Sequence, residues 1–174
     1  YVASADDQFG LVCGVSDLIA EEDSKLTYVR TQNMSENAHS IQLSSVLSYK
    51  NSKVKNFSLN LGCEWLRHES ISRLLGDGAN SEMISVSVPE NAQEFDMRTL
   101  QLHENPNTSS DLLYKNALYD ESKTTFAGMI KVEEGAHQTD AYQTCRNLLM
   151  SDKCEANSMP GLEINADQVK CSHG

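Results

Sequence analysis

Residues 126–174 read FAGMIKVEEGAHQTDAYQTCRNLLMSDKCEANSMPGLEINADQVKCSHG. Phe126, Gly128, Ile130 and Val132 recur with a period of two, the spacing of one face of an extended strand. Leu162 and Ile164 flank Glu163 in the same way. Between such runs stand short turn signals, each a polar residue or glycine followed by a small one: Gly135-Ala136, Lys153-Cys154 and Asn165-Ala166. The stretch also carries Cys145, Cys154 and Cys171, three of the five cysteines, and closes on Lys170-Cys171-Ser172-His173-Gly174.

The same punctuation extends upstream. Asp23-Ser24, Asn37-Ala38, Asn51-Ser52, Gly78-Ala79, Asn91-Ala92 and Glu121-Ser122 each precede a strand-like run. The small residues of successive signals lie 12–18 residues apart, apart from two gaps of 27 and 30 that are about twice as long. This is a degenerate repeat of about 14 residues, or about 28 for a double unit. Phe57, Leu59 and Leu61 alternate with Ser58 and Asn60, and Ile84, Val86 and Val88 with Ser85 and Ser87. In FDMRTLQL the apolar parity switches between Met97 and Leu100, which predicts a bulge or corner there. Gly10 and Gly14 predict breaks in the first apolar run, LVCGVSDLIA. Residues 63–75, CEWLRHESISRLL, allow a helix but run into Gly76-Asp77-Gly78 as the strands do, so a strand is expected.

Many short strands at a repeated spacing suit a sandwich, a barrel or a solenoid, and self-similarity favours the solenoid, in which each coil buries its inner stripe against the next. The fold class is all-β, and the 174 residues make one domain, 1–174. Mean hydropathy is −0.46, and no run approaches the ~20 apolar residues of a membrane span. A net charge of −11 disfavours nucleic acid and anionic membranes, whose phosphates need a basic face. An odd cysteine count suits a reducing, cytoplasmic setting better than a disulfide framework.

Cys171 and His173 are the sharpest pair. Two residues apart on a strand, they share a side, and their parity is that of Val169, expected inward. A buried His needs a hydrogen-bond partner or a metal. Cys145 sits in Tyr142-Gln143-Thr144-Cys145-Arg146-Asn147, whereas Cys154 occupies a turn position and is expected to be a small corner residue. There is no C-x-x-C, so a closed four-thiolate site is not expected. Cys145, Cys171 and His173 are consistent with a half-site completed by another subunit. His39, His68, His103 and His137 are expected to be exposed or hydrogen-bonded, and Glu21-Glu22-Asp23 and Glu133-Glu134 to be solvated corners. No G-x-S-x-G elbow or Walker A loop occurs, so a hydrolase triad and intrinsic ATP binding lack support.

DAYQTCRNLL followed by LEINADQVKCSHG resembles the SufB/SufD family of iron–sulfur cluster assembly proteins, and most closely its SufD side. The resemblance is strong over about the last fifty residues and traceable back to about Ser58. It implies a right-handed parallel β-helix. It also implies a non-enzymatic scaffold that pairs through its C-terminal coils with a SufB-like subunit, or with itself as a dimer. In that family a helical segment past the SHG docks a SufC-type ATPase, so this chain is expected to be the core of a longer protein. The motif's functionally required histidine falls on His173 and its cysteine on Cys171. QTCRNLL is SufD-like around a SufB-like cysteine, since SufD usually has asparagine at position 145. The implied cargo is a transient iron–sulfur cluster near Cys145, Cys171 and His173. Two other classes stay open from the residues alone: a carbohydrate-active β-helix enzyme, disfavoured by the scattered basic residues, and a purely structural solenoid.

Overall fold

A computed structural model describes residues 9–174. Twelve strands, and no helix among the described residues, alternate between two six-stranded parallel sheets. Odd strands stack in the order β1(Gly10–Ala20), β3(Ala38–Ser48), β5(Trp65–Leu74), β7(Glu94–His103), β9(Lys123–Val132), β11(Glu155–Ile164). Even strands stack as β2(Lys25–Gln32), β4(Lys53–Asn60), β6(Asn80–Ser87), β8(Ser109–Leu118), β10(Asp140–Leu149), β12(Lys170–His173). Each pair of consecutive strands is one coil of a parallel β-solenoid. The coil repeat runs from 26 residues, His39 to Trp65, to 32, Lys123 to Glu155. The expected all-β solenoid is therefore what forms, and residues 63–75 form β5, a strand.

Turn chemistry closes the coils. Asp23, Asn51, Gly78 and Asn107 stand at one corner in successive coils, all at positive φ, where Asn, Asp and Gly are least strained. The residues that follow, Ser52, Ala79 and Thr108, are buried because a coil stacks directly on its neighbour there. Ser52 Oγ donates to Tyr49 O at 2.6 Å and Thr108 Oγ1 to Asn105 O at 3.0 Å, so the hydroxyl also ties down the bend. At the other corner, Gln93 and Ser122 are the buried residues, while Ala92 is exposed. Cys154 sits at this corner, its Sγ 3.2 Å from Leu118 O, as its turn position predicts.

The interior is unusually polar. On β4 and β6 the inward residues are Val54 and Met83 together with six polar ones, Asn56, Ser58, Asn60, Ser81, Ser85 and Ser87, and the apolar alternates Phe57, Leu59, Ile84 and Val86 face out. Apolar residues gather in four small internal clusters, among them Met34, Cys63, Leu66 and Phe95, and Met83, Met97, Leu112, Tyr114 and Phe126. Hydroxyls and amides between these clusters bond one another, across the coil in Ser72 with Ser81 at 2.7 Å and Gln101 with Ser110 at 2.7 Å, and up one sheet in Asn60 with Ser87 at 3.1 Å.

This polarity explains two departures from expectation. β7 is regular through Met97 and Leu100: Phe95, Met97, Thr99, Gln101 and His103 all point inward, so polar occupancy of the core, not a bulge, switches the apolar parity. Gly10 and Gly14 lie within the unbroken strand β1 and do not punctuate it.

Candidate functional site

The solenoid's C-terminal end is where the candidate ligands gather. β12 pairs with β10 in the register Ala141–Cys171 and Gln143–His173, and Cys145 N–H donates to Gly174 O at 3.1 Å. Inward parity is inherited down each sheet. Arg30, Ser58, Ser85, Tyr114 and Cys145 form one interior column, and Cys145 ends it. Cys171 and His173 likewise end the columns that run through Ala141 and Gln143. The inward-facing Leu162 and Ile164 of β11 and Leu149 of β10 are 38–51% exposed.

Three environments result. Cys171 lies half-buried against Ile130, Val132, Ala136, Ala141 and Val169, confirming the inward parity expected for it and Val169. Burial, with the Asp140 carboxylate nearby, pushes its thiol pKa up. Cys145 sits instead in an amide pocket. Asn116 Nδ2 is 3.6 Å from its Sγ and 2.7 Å from Asn147 Oδ1, and Asn147 Nδ2 donates to Ser158 Oγ at 3.3 Å. Burial raises the Cys145 pKa as well, partly offset by its side-chain hydrogen bonds with Ser158, Asn147 and Asn116. His173 is exposed.

The register sets the separations. His173 lies opposite Gln143, two residues short of Cys145, so the two Cα atoms are about 8 Å apart. Cys171 lies opposite Ala141, about 14 Å from Cys145 by the same spacings. All three carry the inward parity of the even sheet, with His173 between Cys171 and Cys145, and Cys171 packs in the apolar cluster. No group of three or more His, Cys, Asp or Glu among the described residues is close enough to hold a metal ion. The thiol and imidazole present are donors suited to iron, but they do not close a site within one chain.

The remaining titratable groups have structural roles. His39 Nε2 meets Glu64 at 3.3 Å on the surface, and His137 Nδ1 accepts from Asp167 N–H at 3.3 Å. His68 and His103 are fully buried and hydrogen-bonded. His68 Nδ1 accepts from the buried Arg30 at 3.3 Å, which leaves Nε2–H for Ser44 Oγ at 3.3 Å. Arg30 also donates to Asn60 Oδ1 at 2.6 Å. His103 bonds Thr108 Oγ1 and Ser110 Oγ, both at 2.8 Å. Burial and the Arg30 charge push the His68 pKa down to about 3, and burial pushes that of His103 down to about 4. Their inward placement was not evident from the polar residues around them. The signal lay in serine alternation: His68, Ser70 and Ser72 share one parity on β5.

The chain is a parallel β-solenoid with thiol and imidazole donors in its C-terminal coils, and its relatives identify its family. The family model for the SUF-system FeS cluster assembly SufBD core domain matches residues 1–174, and the chain belongs to that family. It is 33% identical over 137 residues to the iron–sulfur cluster assembly protein SufD of Escherichia coli, covering 79% of this chain and 32% of that protein. It is 28% identical over 160 residues to an iron–sulfur cluster assembly SufBD family protein of Synechocystis sp., covering 92% and 35%. It is 26% identical over 175 residues to the chloroplastic protein ABCI7 of Arabidopsis thaliana, covering 100% and 37%. The chain spans about a third of the length of these curated relatives. The family is described by its role in iron–sulfur cluster assembly.

Proposed function

We propose that the protein is a non-enzymatic scaffold subunit on which a transient iron–sulfur cluster is assembled at a subunit interface formed by the C-terminal end of the solenoid. The observation that carries this reading is the arrival of Cys145 and His173 on one inward-facing side of that end, in a chain of the SufBD core family. Iron and sulfide are the cargo. A thiolate at Cys145 and a neutral imidazole at His173 supply two donors of matching softness, and the partner supplies the rest. Cys171, bedded in the apolar cluster, holds the strand that presents His173. Because burial disfavours the Cys145 thiolate, cargo binding must drive its deprotonation, and assembly is favoured by rising pH. The partner is a SufB-like subunit or a second copy, and in the longer protein a SufC-type ATPase drives the complex in the cytoplasm.

The test is anaerobic reconstitution with ferrous iron and sulfide, alone and with a SufB-type subunit, followed by cluster absorbance. A cluster that forms only with the partner and is lost in His173→Ala fits the heterodimer. One that forms in the protein alone and is lost in Cys145→Ala fits self-pairing, for which the cysteine within QTCRNLL is the specific sign. Absence of a cluster in both mixtures, with all variants folded, overturns the proposal.

A further inference from the structure

The corners between β2 and β3, β4 and β5, and β6 and β7 stack on one another but differ in length. They are residues 33–37, 61–64 and 88–93, so five, four and six residues long. The middle corner is the shortest and is drawn in. Its Gly62 packs so closely on Met34 that a Cβ would lie 2.1 Å from Met34 O. The longer corners on either side project past it, and Asn91 Nδ2 donates to Glu36 Oε1 at 3.0 Å, a bond between residues two coils apart. The recess is a polar cavity of about 370 Å³, lined by Asn33, Ser35, Glu36, Leu61, Glu90 and Gln93 among others. A second cavity of about 200 Å³ shares Glu36 and Gln93 and adds Glu64. Corner residues of the flanking coils bound the recess on both sides, so loop length sets its shape.

One lining side chain is short of a partner. Gln93 is 4% exposed. Its Oε1 accepts from Glu90 N–H at 2.9 Å, which fixes the orientation of the amide. Its Nε2 has no hydrogen-bond partner among the described residues and is not sealed from solvent, so its N–H groups open on the cavity that the residue lines. Glu36 and Glu90, both exposed and without an ion pair among the described residues, bring two carboxylates to the same cavity.

We propose that this cavity binds an aminoacyl head group, a primary ammonium held by Glu36 and Glu90 with a neighbouring carbonyl oxygen that accepts from Gln93 Nε2. The donor set decides the class. An anion is repelled by two carboxylates in a chain of net charge −11. A lone ammonium, as on a lysine side chain, leaves the Gln93 donor unmet, and a neutral amide leaves the carboxylates unmatched. A peptide N-terminus and a free amino-acid amide both present the ammonium and the carbonyl together. Binding requires neither Cys145 nor a cluster, and so stands or falls separately from the assembly reading.

The probe is glycinamide, titrated into the full chain labelled with nitrogen-15 glutamine, at a pH below the ~7.7–8.0 where an α-ammonium titrates. The Gln93 side-chain signal is assigned by its loss in Gln93→Glu. Saturable shifts of that signal are expected, with glycinamide binding at least about threefold tighter than ethylamine, the share of one hydrogen bond. Acetamide and glycine should not saturate it. Glu36→Gln/Glu90→Gln, at exposed positions and with an acceptor kept for Asn91, should weaken glycinamide about tenfold. Glu21→Gln/Glu134→Gln, two exposed carboxylates elsewhere, should leave it unchanged. Equal binding of triglycinamide identifies a peptide N-terminus as the source, and its exclusion while glycinamide binds identifies a small molecule. No saturable Gln93 shift, equal binding of ethylamine, acetamide or glycine, or unaltered affinity in Glu36→Gln/Glu90→Gln overturns the proposal and leaves the cavity to water.

Discussion

Lowering the pH from 7 to 5 should destabilise this protein through two interior histidines. His68 and His103 are neutral in the fold because burial, and for His68 also Arg30, hold their pKa values at about 3 and about 4. In the unfolded chain both return to about 6.5. The unfolded state therefore binds more protons between these limits, and stability is full above pH 6.5 and lost as pH falls toward the folded values. Over pH 7 to 5 each unfolded histidine goes from mostly neutral to mostly charged while its folded counterpart stays neutral, costing about 2 kcal/mol per residue. The two together cost about 4 kcal/mol, a large share of the ~5–15 kcal/mol that a domain has to lose. Urea unfolding at pH 7, 6 and 5 measures the slope. His68→Gln and His103→Gln, which keep a polar group for the Ser44 and Ser110 hydroxyls, should each flatten it by about 2 kcal/mol over this range. Comparing slopes, not absolute stabilities, removes the repacking cost and the common contribution of the surface carboxylates. A variant whose stability falls with pH in parallel with the wild type would refute the assignment of neutral, buried imidazoles.

Thiol reactivity should sort by environment. Cys13, exposed on β1, is alkylated first, and Cys63, buried with its pKa pushed up to about 12, stays unmodified until unfolding, as peptide mass mapping over time would reveal. Gly128→Ala should cost about 1–3 kcal/mol, read as a lower urea midpoint, because a Cβ there overlaps Gln143 Oε1 and the Phe126 ring. Phe95→Ala, which empties the centre of a fully buried cluster, should cost about 3–5 kcal/mol in the same assay, whereas Val29→Ala on the outer face should cost under about 1 kcal/mol.

The repeat of turn signals favoured a solenoid over a sandwich or barrel, because a corner demands a local conformation; that its strands run parallel came from the family resemblance. Asn51, Gly78 and Asn107 take positive φ, and the small residue after each must fit under the next coil. Such demands act within a few residues and so leave a mark in the chain. Cys145, Cys171 and His173 were also legible as candidates, from their residue types, their parity and the resemblance of their surroundings. Which of them stand together was not. That depends on the register of β12 against β10, a pairing across thirty residues that places His173 near Cys145 and leaves Cys171 in an apolar cluster. The direction of each face was equally hidden. Alternation separates Phe57 and Leu59 from Ser58 and Asn60, but period two is symmetric, and burying the apolar set is only the usual choice. Here the stacked coils make an interior narrow enough for serine and asparagine to bond across it, as Ser72 does with Ser81 and Asn56 with Ser70, so the polar set goes in and the apolar set forms an outer surface. The sequence by itself determined the strands, the corners and the donor atoms. Only the tertiary structure decided which side of each strand is inside and which donors meet, because both are set by contacts between coils.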